Sequence, residues 1–532
     1  MKHVTLFPLL IITLVILLSG CAENPRQKLV PLVDEATYSE VDFTDVKIDS
    51  ALVSTFLATL NTTDSIKSRV ASFYRRRNYQ FGWFTKTGMT YPVNIFYDQL
   101  NEYINDFKDS TLVDPTLDSL IQLARKDERS FLKVRTNAPK LDLLLTAYYF
   151  KYADRAYGGL DKSPVDLEWY IPRKKKNYEM LLDSLVIRKK TDKIKEPENI
   201  YYTRLIKELK RYRQIEKNGG FPLIEEGKEI KKGDTSDVIA RIRDYLRLTG
   251  DLAEGDTGRI FDDNLSKSIK IFQSRMGLIP NGKPGKSTID AMNVPIDRRI
   301  QQIMINLERL RWMPDRLVDN MILINIPEYV LHYYKNDSLA WNTNVVVGKE
   351  ITKTVIFSGN MSNIVLNPYW NVPQSIMKKE IIPAMQKNPN YLDKNNMEII
   401  SKSPLSVRQK PGKNNSLGKL KFLFPNNYSI YLHDTPAKYL FSQNKRAYSH
   451  GCVRVENPVT LAKLLLTDQT QWLKKVDAIL KTDKETWIPV KPPMPVFIVY
   501  FTTWVDQAGN LNFRNDVYGH DKKLGEEIFG KD

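Results

Sequence analysis

Apolar residues at helical spacing dominate the first half of the chain. One stripe recurs at i, i+3, i+4, i+7 and i+11, formed by Leu141, Leu144, Leu145, Tyr148 and Tyr152. A second helix is predicted over residues 201–216, where Gly219-Gly220 stops the pattern. Such stripes are typical of a packed helical core, and we interpret residues 46–230 as a helical scaffold domain.

Residues 233–293 are predicted to form a small three-helix module. Asp234 or Ser236 is suited to cap its first helix, and a second helix follows Asp262 and ends at Gly277. Asn281-Gly282 then marks a turn. The residues expected to face inward are Val238, Ile242, Tyr245 and Leu246 on the first helix and Leu265, Ile269, Phe272 and Met276 on the second.

After Asp297 one more helix carries Met304, Leu307 and Leu310, and the spacing then changes to alternation. Strands are predicted around Ile322, Ile324 and Ile326, around Val345 and Val347, and over the long run from Val496 to Val505. Lys335-Asn336-Asp337 and Gly509-Asn510 are expected to be turns. Residues 298–532 are therefore predicted to be a mainly β domain, and the expected fold class is multidomain α+β.

A basic segment interrupts the β pattern between Trp370 and Lys421. Residues 371–420 contain nine Lys+Arg and three Asp+Glu, a net charge of 9 − 3 = +6, with several prolines and little β alternation. We expect an inserted lid, because an insert of this size is able to shield a reaction site from water. A solvated surface excursion is the equally weighted alternative.

The N-terminus predicts export. Lys2 precedes an apolar run from Leu6 to Leu18, which is typical of a signal peptide; a short membrane anchor is the alternative. Leu18-Ser19-Gly20-Cys21 resembles the bacterial lipobox, which implies that Cys21 is lipidated. Residues 1–21 are thus interpreted as a lipoprotein signal peptide and 22–45 as a polar tether. The expected location is the periplasmic face of a membrane, inner or outer.

The composition of the chain limits the classes of partner that the protein is expected to bind. The 532 residues include 79 Lys+Arg and 62 Asp+Glu, a net charge of +17, and the hydrophobic share of 42% excludes a largely disordered chain. An exported protein rarely meets nucleic acid, so anionic membrane surfaces and wall carboxylates are the expected partners. The basic runs Arg75–Arg77 and Arg173–Lys176 are interpreted as solvated faces. With two cysteines in all, a four-cysteine zinc site is excluded, and Cys452 is the thiol that lipidation leaves.

The candidate chemistry surrounds Cys452. His433 and His450, two of only five histidines, lie within 19 residues of it. A neighbouring imidazole is able to deprotonate a thiol, and Gly451 lets the backbone approach a reacting carbonyl. The N–H groups around Gly451 and Cys452 would then hold a developing oxyanion. A helix beginning at Asn457-Pro458 would fix this turn. The pattern favours a cysteine nucleophile with a histidine base.

Two other readings of the same residues stay open. His433, His450 and Cys452 are also a possible zinc ligand set with water as the fourth ligand. Alternatively, the histidines are satisfied core residues. Stoichiometric metal binding would favour the first, whereas alkylation of the metal-free protein would favour a nucleophile.

Ser449-His450-Gly451-Cys452-Val453-Arg454, with His433 nineteen residues before the cysteine, resembles the signature of YkuD-like L,D-transpeptidases. Phe73–Tyr79 with Trp83, and Leu141–Thr146, are similar to the scaffold of the large YcbB-like subgroup, and Tyr500–Trp504 fits it as well. Residues 268–288 resemble a peptidoglycan-binding module. The resemblance implies a sandwich-like β domain with a mobile lid.

By position, the resemblance implies that Cys452 is the nucleophile and His433 the general base. Asp434 would orient His433 through its backbone carbonyl. The residues expected to shape the site and the oxyanion pocket are Gly451, His450, Arg454 and Tyr431. No metal or cofactor is implied.

The implied reaction joins peptidoglycan stem peptides. The thiolate attacks a donor tetrapeptide, D-alanine leaves, and an acceptor amine converts the thioester into a 3→3 cross-link. Family behaviour also implies a carbapenem adduct on Cys452. Alternatives are an L,D-carboxypeptidase, an enzyme that attaches protein to peptidoglycan and, from another class, a non-catalytic wall-binding lipoprotein anchor.

Overall fold

The computed structural model describes residues 46–172, 176–187, 199–227, 229–314 and 318–530. The predicted signal peptide, the lipobox Cys21, the tether and residues 173–175 of one basic run lie outside the described residues. The chain divides into two compact units, whose described parts are 46–97, 114–150 and 179–187 in the first and the remaining residues in the second. The expected domain boundary near residue 230 stays a prediction.

The first unit is mostly helical, as its apolar spacing predicts. Side chains of Asp49, Thr63 and Asp114 accept hydrogen bonds from backbone N–H groups at the starts of α1, α2 and α4. Three elements of this part of the chain (α3, α6 and α7) contain a division between the units. The elements are α1 Ser50–Thr59, α2 Asp64–Arg76, β1 Phe84–Thr85, β2 Gly88–Met89, α3 Tyr91–Phe107, α4 Pro115–Lys126, α5 Glu128–Lys133, α6 Asn137–Ala153 and α7 Tyr178–Val186.

A buried carboxylate organises the core of this unit. Asp142 is fully buried and accepts hydrogen bonds from the Tyr74 hydroxyl at 2.6 Å and from the Trp83 N–H at 2.7 Å. The Gly82 N–H donates to the same side chain at 3.1 Å. Burial raises the pKa of Asp142 to about 6. The segments that resemble the scaffold family therefore meet at one side chain.

The second unit begins with the predicted helices. Ser236 caps α9, with its Oγ accepting from Ile239 N at 3.3 Å, and Asp262 caps α10. Gly277, at φ +68°, follows the end of α10 as expected. The bounds are β3 Trp169–Tyr170, α8 Ile200–Lys217, α9 Asp237–Leu248, α10 Asp263–Arg275, α11 Lys286–Met292 and α12 Ile296–Arg311. The helices predicted over 201–216, after Asp262 and after Asp297 are confirmed.

The remainder of the second unit is mainly β. Its strands are β4 Met321–Asn325, β5 Val330–Lys335, β6 Ser338–Gly348, β7 Ile356–Leu366, β8 Trp370–Asn371, β9 Met397–Lys402, β10 Leu405–Gln409, β11 Leu420–Leu423, β12 Leu432–His433, β13 Ala447–Ser449, β14 Val453–Val455, β15 Thr486–Val499, β16 Thr503–Val505 and β17 Leu511–Phe513. Its helices are α13 Gln374–Ile376, α14 Ile382–Lys387, α15 Tyr391–Lys394, α16 Pro458–Leu465, α17 Thr470–Leu473, α18 Val476–Leu480 and α19 His520–Phe529.

Two strand predictions need correction. The strand around Ile322 ends at Asn325, and Ile326 begins a short 3₁₀ turn; β4 is buried on both faces, so its residues need not alternate. The run from Val496 to Val505 is two strands, because Tyr500–Thr502 leave the sheet between β15 and β16. The Gly509-Asn510 turn before β17 and the Asn336-Asp337 turn before β6 are confirmed.

The large sheet closes on itself. Its strand order is β11-β12-β14-β6-β5-β4-β15-β7-β3, and β7 also pairs with β11. Leu366 of β7 lies directly opposite Leu420 of β11. Apolar residues such as Leu420, Phe422 and Leu432 fill the core on one face of these strands. The predicted mainly β domain is confirmed, with its sheet closed by a non-local pair of strands.

The segment between β7 and β11 is a folded insert. It forms a small antiparallel sheet of order β8-β10-β9 with α13–α15. Its own apolar core consists of Val372, Met377, Ile381, Met397 and Val407. Although its sequence shows little β alternation, this segment contains a hairpin in which β9 and β10 pair across Ser403-Pro404.

Among the described residues, no helix combines the length and apolar character that crossing a membrane requires.

Candidate active site

Strand pairing gathers the predicted site residues on one face of the closed sheet. His433 on β12 lies opposite Arg454 on β14 and opposite Lys421 on β11. Their sequence neighbours Leu432, Val453 and Phe422 are fully buried on the opposite, core face. Tyr431 immediately precedes β12, and its ring lies 5.7 Å from that of His433. Cys452 immediately precedes β14 and contacts Tyr431, so both residues lie beside His433 on this face.

His433 is buried, with 5% of its surface exposed, and its ring is oriented by the backbone. Nδ1 lies 2.5 Å from the carbonyl oxygen of Asp434. A carbonyl only accepts, so Nδ1 carries the proton and Nε2 keeps a free lone pair. Burial, together with the positive charges of Arg454 and Lys421, lowers the pKa of His433 to about 3. The imidazole is therefore neutral at physiological pH.

The Asp434 side chain is held separately. Its Oδ2 accepts from the Lys419 N–H at 2.8 Å, and its Oδ1 accepts from Lys438 Nζ at 2.7 Å. These bonds fix the backbone that orients His433, in the manner of an outer layer of supporting contacts.

Cys452 is half-buried and is not disulfide-bonded. Its thiol lies 3.7 Å from the carbonyl oxygen of Ser429 and also contacts Tyr431. Burial raises the pKa of Cys452, while the Tyr431 N–H and hydroxyl and the charges of Lys421 and Arg454 act to lower it. In the described part of the chain, no hydrogen bond joins this thiol to the His433 ring. The resting pair is therefore a thiol and a neutral imidazole.

The turn before Cys452 leaves one backbone donor available. Gly451 has φ +118°, and its N–H donates to Ser449 Oγ at 3.1 Å. Ser449 Oγ in turn donates to the Cys452 carbonyl at 2.5 Å. Within the described ranges, the Cys452 N–H has no hydrogen-bond partner. Of the two N–H groups expected to bind an oxyanion, only that of Cys452 is therefore available.

The insert reaches this site at two places. Glu380 Oε1 lies 3.0 Å from His450 Nε2. The Trp370 side chain contacts Tyr431. His450 is thus directed toward the insert and is exposed, whereas sequence reasoning expected it to shape the oxyanion pocket.

Three segments of the chain match models of known protein families. Residues 319–490 match the model of the "L,D-transpeptidase catalytic domain", residues 68–209 match "Scaffold domain", and residues 235–292 match "Putative peptidoglycan binding domain". The chain therefore contains an L,D-transpeptidase catalytic domain. It is accompanied by the helical scaffold and the peptidoglycan-binding module that the sequence predicts.

One curated relative is a protein from Haemophilus influenzae named "Putative L,D-transpeptidase". It is 35% identical over 242 residues, which cover 42% of this chain and 49% of the relative. The chain thus spans about half the length of that relative.

Solved L,D-transpeptidases show weaker likeness. That from Xylanimonas cellulosilytica is 13% identical and covers 52% of this chain and 99% of its own, with a TM-score of 0.18. That from Stackebrandtia nassauensis is 14% identical, covers 53% and 97%, and has a TM-score of 0.20. A third, solved in complex with imipenem, is 14% identical, covers 34% and 59%, and has a TM-score of 0.18.

In the L,D-transpeptidase domain, the zinc alternative finds no geometric support. Nε2 of His450 lies 3.0 Å from Glu380 Oε1, so this ring is directed toward the insert and not toward Cys452. No group of three His, Cys, Asp or Glu side chains suited to a metal ion is found in the described ranges.

Sequence reasoning missed Lys421 as a site residue. It stands twelve positions before His433, inside a stretch read only as the start of a strand. The signal was present, because a lysine between Leu420 and Phe422 alternates with two buried residues and must face away from the core.

Proposed function

We propose that this protein is a cysteine-dependent L,D-transpeptidase that forms 3→3 cross-links in peptidoglycan. The observation that carries the proposal is the shared sheet face of Cys452 and a neutral, oriented His433 inside an L,D-transpeptidase catalytic domain. A neutral imidazole with a free Nε2 is the form that a general base requires.

The proposed reaction begins with proton transfer from the Cys452 thiol to Nε2 of His433. The thiol must first turn from Ser429 toward the ring, and catalytic hydrogen bonds are often long before substrate binds. The sulfur then attacks the carbonyl between the diamino acid and the terminal D-alanine of a tetrapeptide stem. The imidazolium returns its proton to the leaving D-alanine amine, and a thioester remains.

The oxyanion would be bound by the free Cys452 N–H, with the Tyr431 hydroxyl nearby. Each such donor lowers the barrier to acyl transfer by roughly 3 to 4 kcal/mol.

The side-chain amine of an acceptor stem then attacks the thioester. The insert, joined to His450 through Glu380, would exclude water so that the amine and not hydroxide resolves the intermediate.

The other domains supply the proposed setting. A peptidoglycan-binding module beside the catalytic domain supports action on the cell wall in the periplasm. The proposed lipid anchor at Cys21 would hold the chain at a membrane surface, which also suits its net charge of +17.

The test is muropeptide mass analysis with purified disaccharide-tetrapeptide. Wild-type protein should release D-alanine and form dimers joined 3→3, and Cys452→Ala should form none. Tripeptides without dimers would indicate a carboxypeptidase instead. Linkage of a protein amine to the wall would indicate an attachment enzyme, and no product at all would indicate a non-catalytic anchor.

Carbapenems offer an independent test of the nucleophile. The match to the L,D-transpeptidase catalytic domain and the resemblance of the Cys452 signature support acylation of this thiol by a carbapenem. Intact-mass analysis should find one added imipenem on the wild type and none on Cys452→Ala.

A further inference from the structure

A row of paired residues crosses the active-site face of the sheet. Arg454, His433 and Lys421 occupy its centre on β14, β12 and β11. Val346 on β6 flanks Arg454, and Val365 on β7 flanks Lys421; both valines are buried. Two cations therefore stand on either side of the imidazole, between apolar walls.

Both cations lack an anionic partner. In the part of the chain that the structure describes, the side chains of Lys421 and Arg454 form no ion pair and no hydrogen bond, and Arg454 Nε is buried without a partner. The Lys421 ammonium lies 4.1 Å from the centre of the Tyr431 ring. Burial lowers the pKa of both residues. A half-buried cation is costly unless an anion meets it, and functional sites tolerate that cost.

The nearby groups do not supply that anion in the resting state. Cys452 is protonated at rest because burial raises its pKa, and His433 is neutral. Glu485 acts on Lys421 only through space, and its Oε1 accepts from the Tyr369 N–H at 2.9 Å. Lys421 and Arg454 are therefore placed to bind an anion that comes from outside the protein.

The geometry points to a carboxylate clamp. We propose that Lys421 and Arg454 bind the free terminal carboxylate of the donor peptide, next to the bond that Cys452 attacks. This inference rests on the proposed function. In that donor, the carboxylate carbon is only two bonds from the nitrogen that leaves, so a carbonyl held at Cys452 brings the carboxylate within reach of side chains on the same face. The clamp would select peptides in which a single residue follows the cleaved bond.

A competing role is stabilisation of the Cys452 thiolate alone. The two roles differ in what they predict, because thiolate stabilisation acts on every electrophile, whereas a clamp acts on substrates that carry the carboxylate. A charge-assisted hydrogen bond lost in a desolvated site corresponds to about a tenfold or greater change in rate.

The experiment compares two donors: a disaccharide-tetrapeptide ending in D-alanine and the same molecule ending in D-alaninamide. Both give the same acyl-enzyme, so any difference in kcat/KM for the released amine arises before the thioester forms. The full-length proteins to compare are wild type, Lys421→Met, Lys421→Arg and, as a remote lysine control, Lys463→Met. Iodoacetamide, a neutral electrophile, reports thiolate availability in each.

For the wild type, we expect kcat/KM to be about tenfold or more higher with the donor that ends in D-alanine than with the donor that ends in D-alaninamide. Lys421→Met should lose most of this preference because its kcat/KM falls with the D-alanine donor and stays unchanged with the D-alaninamide donor. Lys421→Arg should retain the preference, and Lys463→Met should match the wild type. Equal slowing of both donors and of alkylation in Lys421→Met would overturn the clamp in favour of thiolate stabilisation. If the wild type shows no preference between the two donors, that result alone overturns the clamp, even if Lys421→Met does not fold. If neither donor reacts with the wild type, the proposed function itself fails.

Discussion

Glu380 Oε1 lies 3.0 Å from His450 Nε2, which joins the insert to the turn that carries Cys452. Both side chains are about half exposed, so the contact is weak in itself, on the order of 1 kcal/mol or less. Its importance lies in position, because it is a direct contact between the insert and the segment that precedes Cys452, the proposed nucleophile.

Glu380→Gln should therefore loosen the insert and leave the fold intact. We expect the ratio of hydrolysis to cross-linking to rise about two- to fivefold, since a free-energy change of up to 1 kcal/mol corresponds to about that factor. Tripeptide and dimer yields from one digest measure the ratio. Glu398→Gln, which alters a carboxylate of the same insert that pairs with Arg408, is the matched control. An unchanged ratio in Glu380→Gln would show that this contact does not hold the lid.

The resting state of the thiol predicts an unusual pH profile. Burial raises the pKa of Cys452 and lowers that of His433 to about 3, so no imidazolium–thiolate pair exists near neutrality. Alkylation by iodoacetamide should rise with pH through a single ionisation above the ordinary thiol range of about 8.5. Rates measured from pH 5 to 10 test this. An inflection near pH 6.5 would instead reveal a titrating His433 beside a thiolate.

Gly451→Ala should damage the site through its backbone. An added Cβ would lie 3.7 Å from the Lys353 carbonyl oxygen, which is an ordinary contact, but φ +118° strains any L side chain by about 1 to 3 kcal/mol. If the turn relaxes to relieve this strain, the Cys452 N–H moves, and acylation by imipenem should slow by about 10-fold or more.

Gly509→Ala is the control for that substitution. Gly509 has φ +87° with open space around its Cβ position, in the turn between β16 and β17. It should lose comparable stability in thermal melting while its imipenem rate stays that of the wild type. Equal imipenem rates in both variants would mean that the turn at Gly451 does not position the donor.

Asp142→Asn should destabilise the first unit. Asn offers one acceptor oxygen where Asp142 accepts from Tyr74, Gly82 and Trp83, so at least one buried donor loses its partner, at about 1 to 3 kcal/mol. Urea unfolding followed by tryptophan fluorescence measures the loss. Typical surface substitutions change the free energy of unfolding by no more than about 0.5 kcal/mol. A loss of that size or smaller in Asp142→Asn would contradict the inferred hydrogen-bond network.

The same carboxyl group gives a pH signature. Its folded pKa of about 6 exceeds the usual unfolded value near 3.9, so the folded state binds the extra proton between those values. The stability that it contributes is present in full below pH 4 and is lost as pH rises through 6. Relative to Asp142→Asn, the wild type should therefore gain stability on acidification from pH 7 to 5.

Local chemistry made much of this molecule predictable. Ser236 and Asp262 predict the starts of two helices, because helix capping depends on residues within one helical turn. The sequence also predicts that His433 and Cys452 belong to one site, because they lie close together in the chain. In contrast, Lys421 joins them only through the register of β11 on β12, and His450 is directed by Glu380, seventy residues away. The alternation around Lys421 indicates only that this lysine faces away from the core, and non-local pairing of strands decides which residues it meets there.

The pairing of Leu366 with Leu420 has a consequence for how such an enzyme diversifies. More than fifty residues leave and re-enter the closed sheet at a single cross-strand pair, and they carry their own apolar core. A segment anchored in this way can change in length between the same two leucines, provided that Trp370 and Lys419 keep their contacts with Tyr431 and Asp434. Under the proposed function, the surface that meets the acceptor can then change while Cys452 and His433 stay in place.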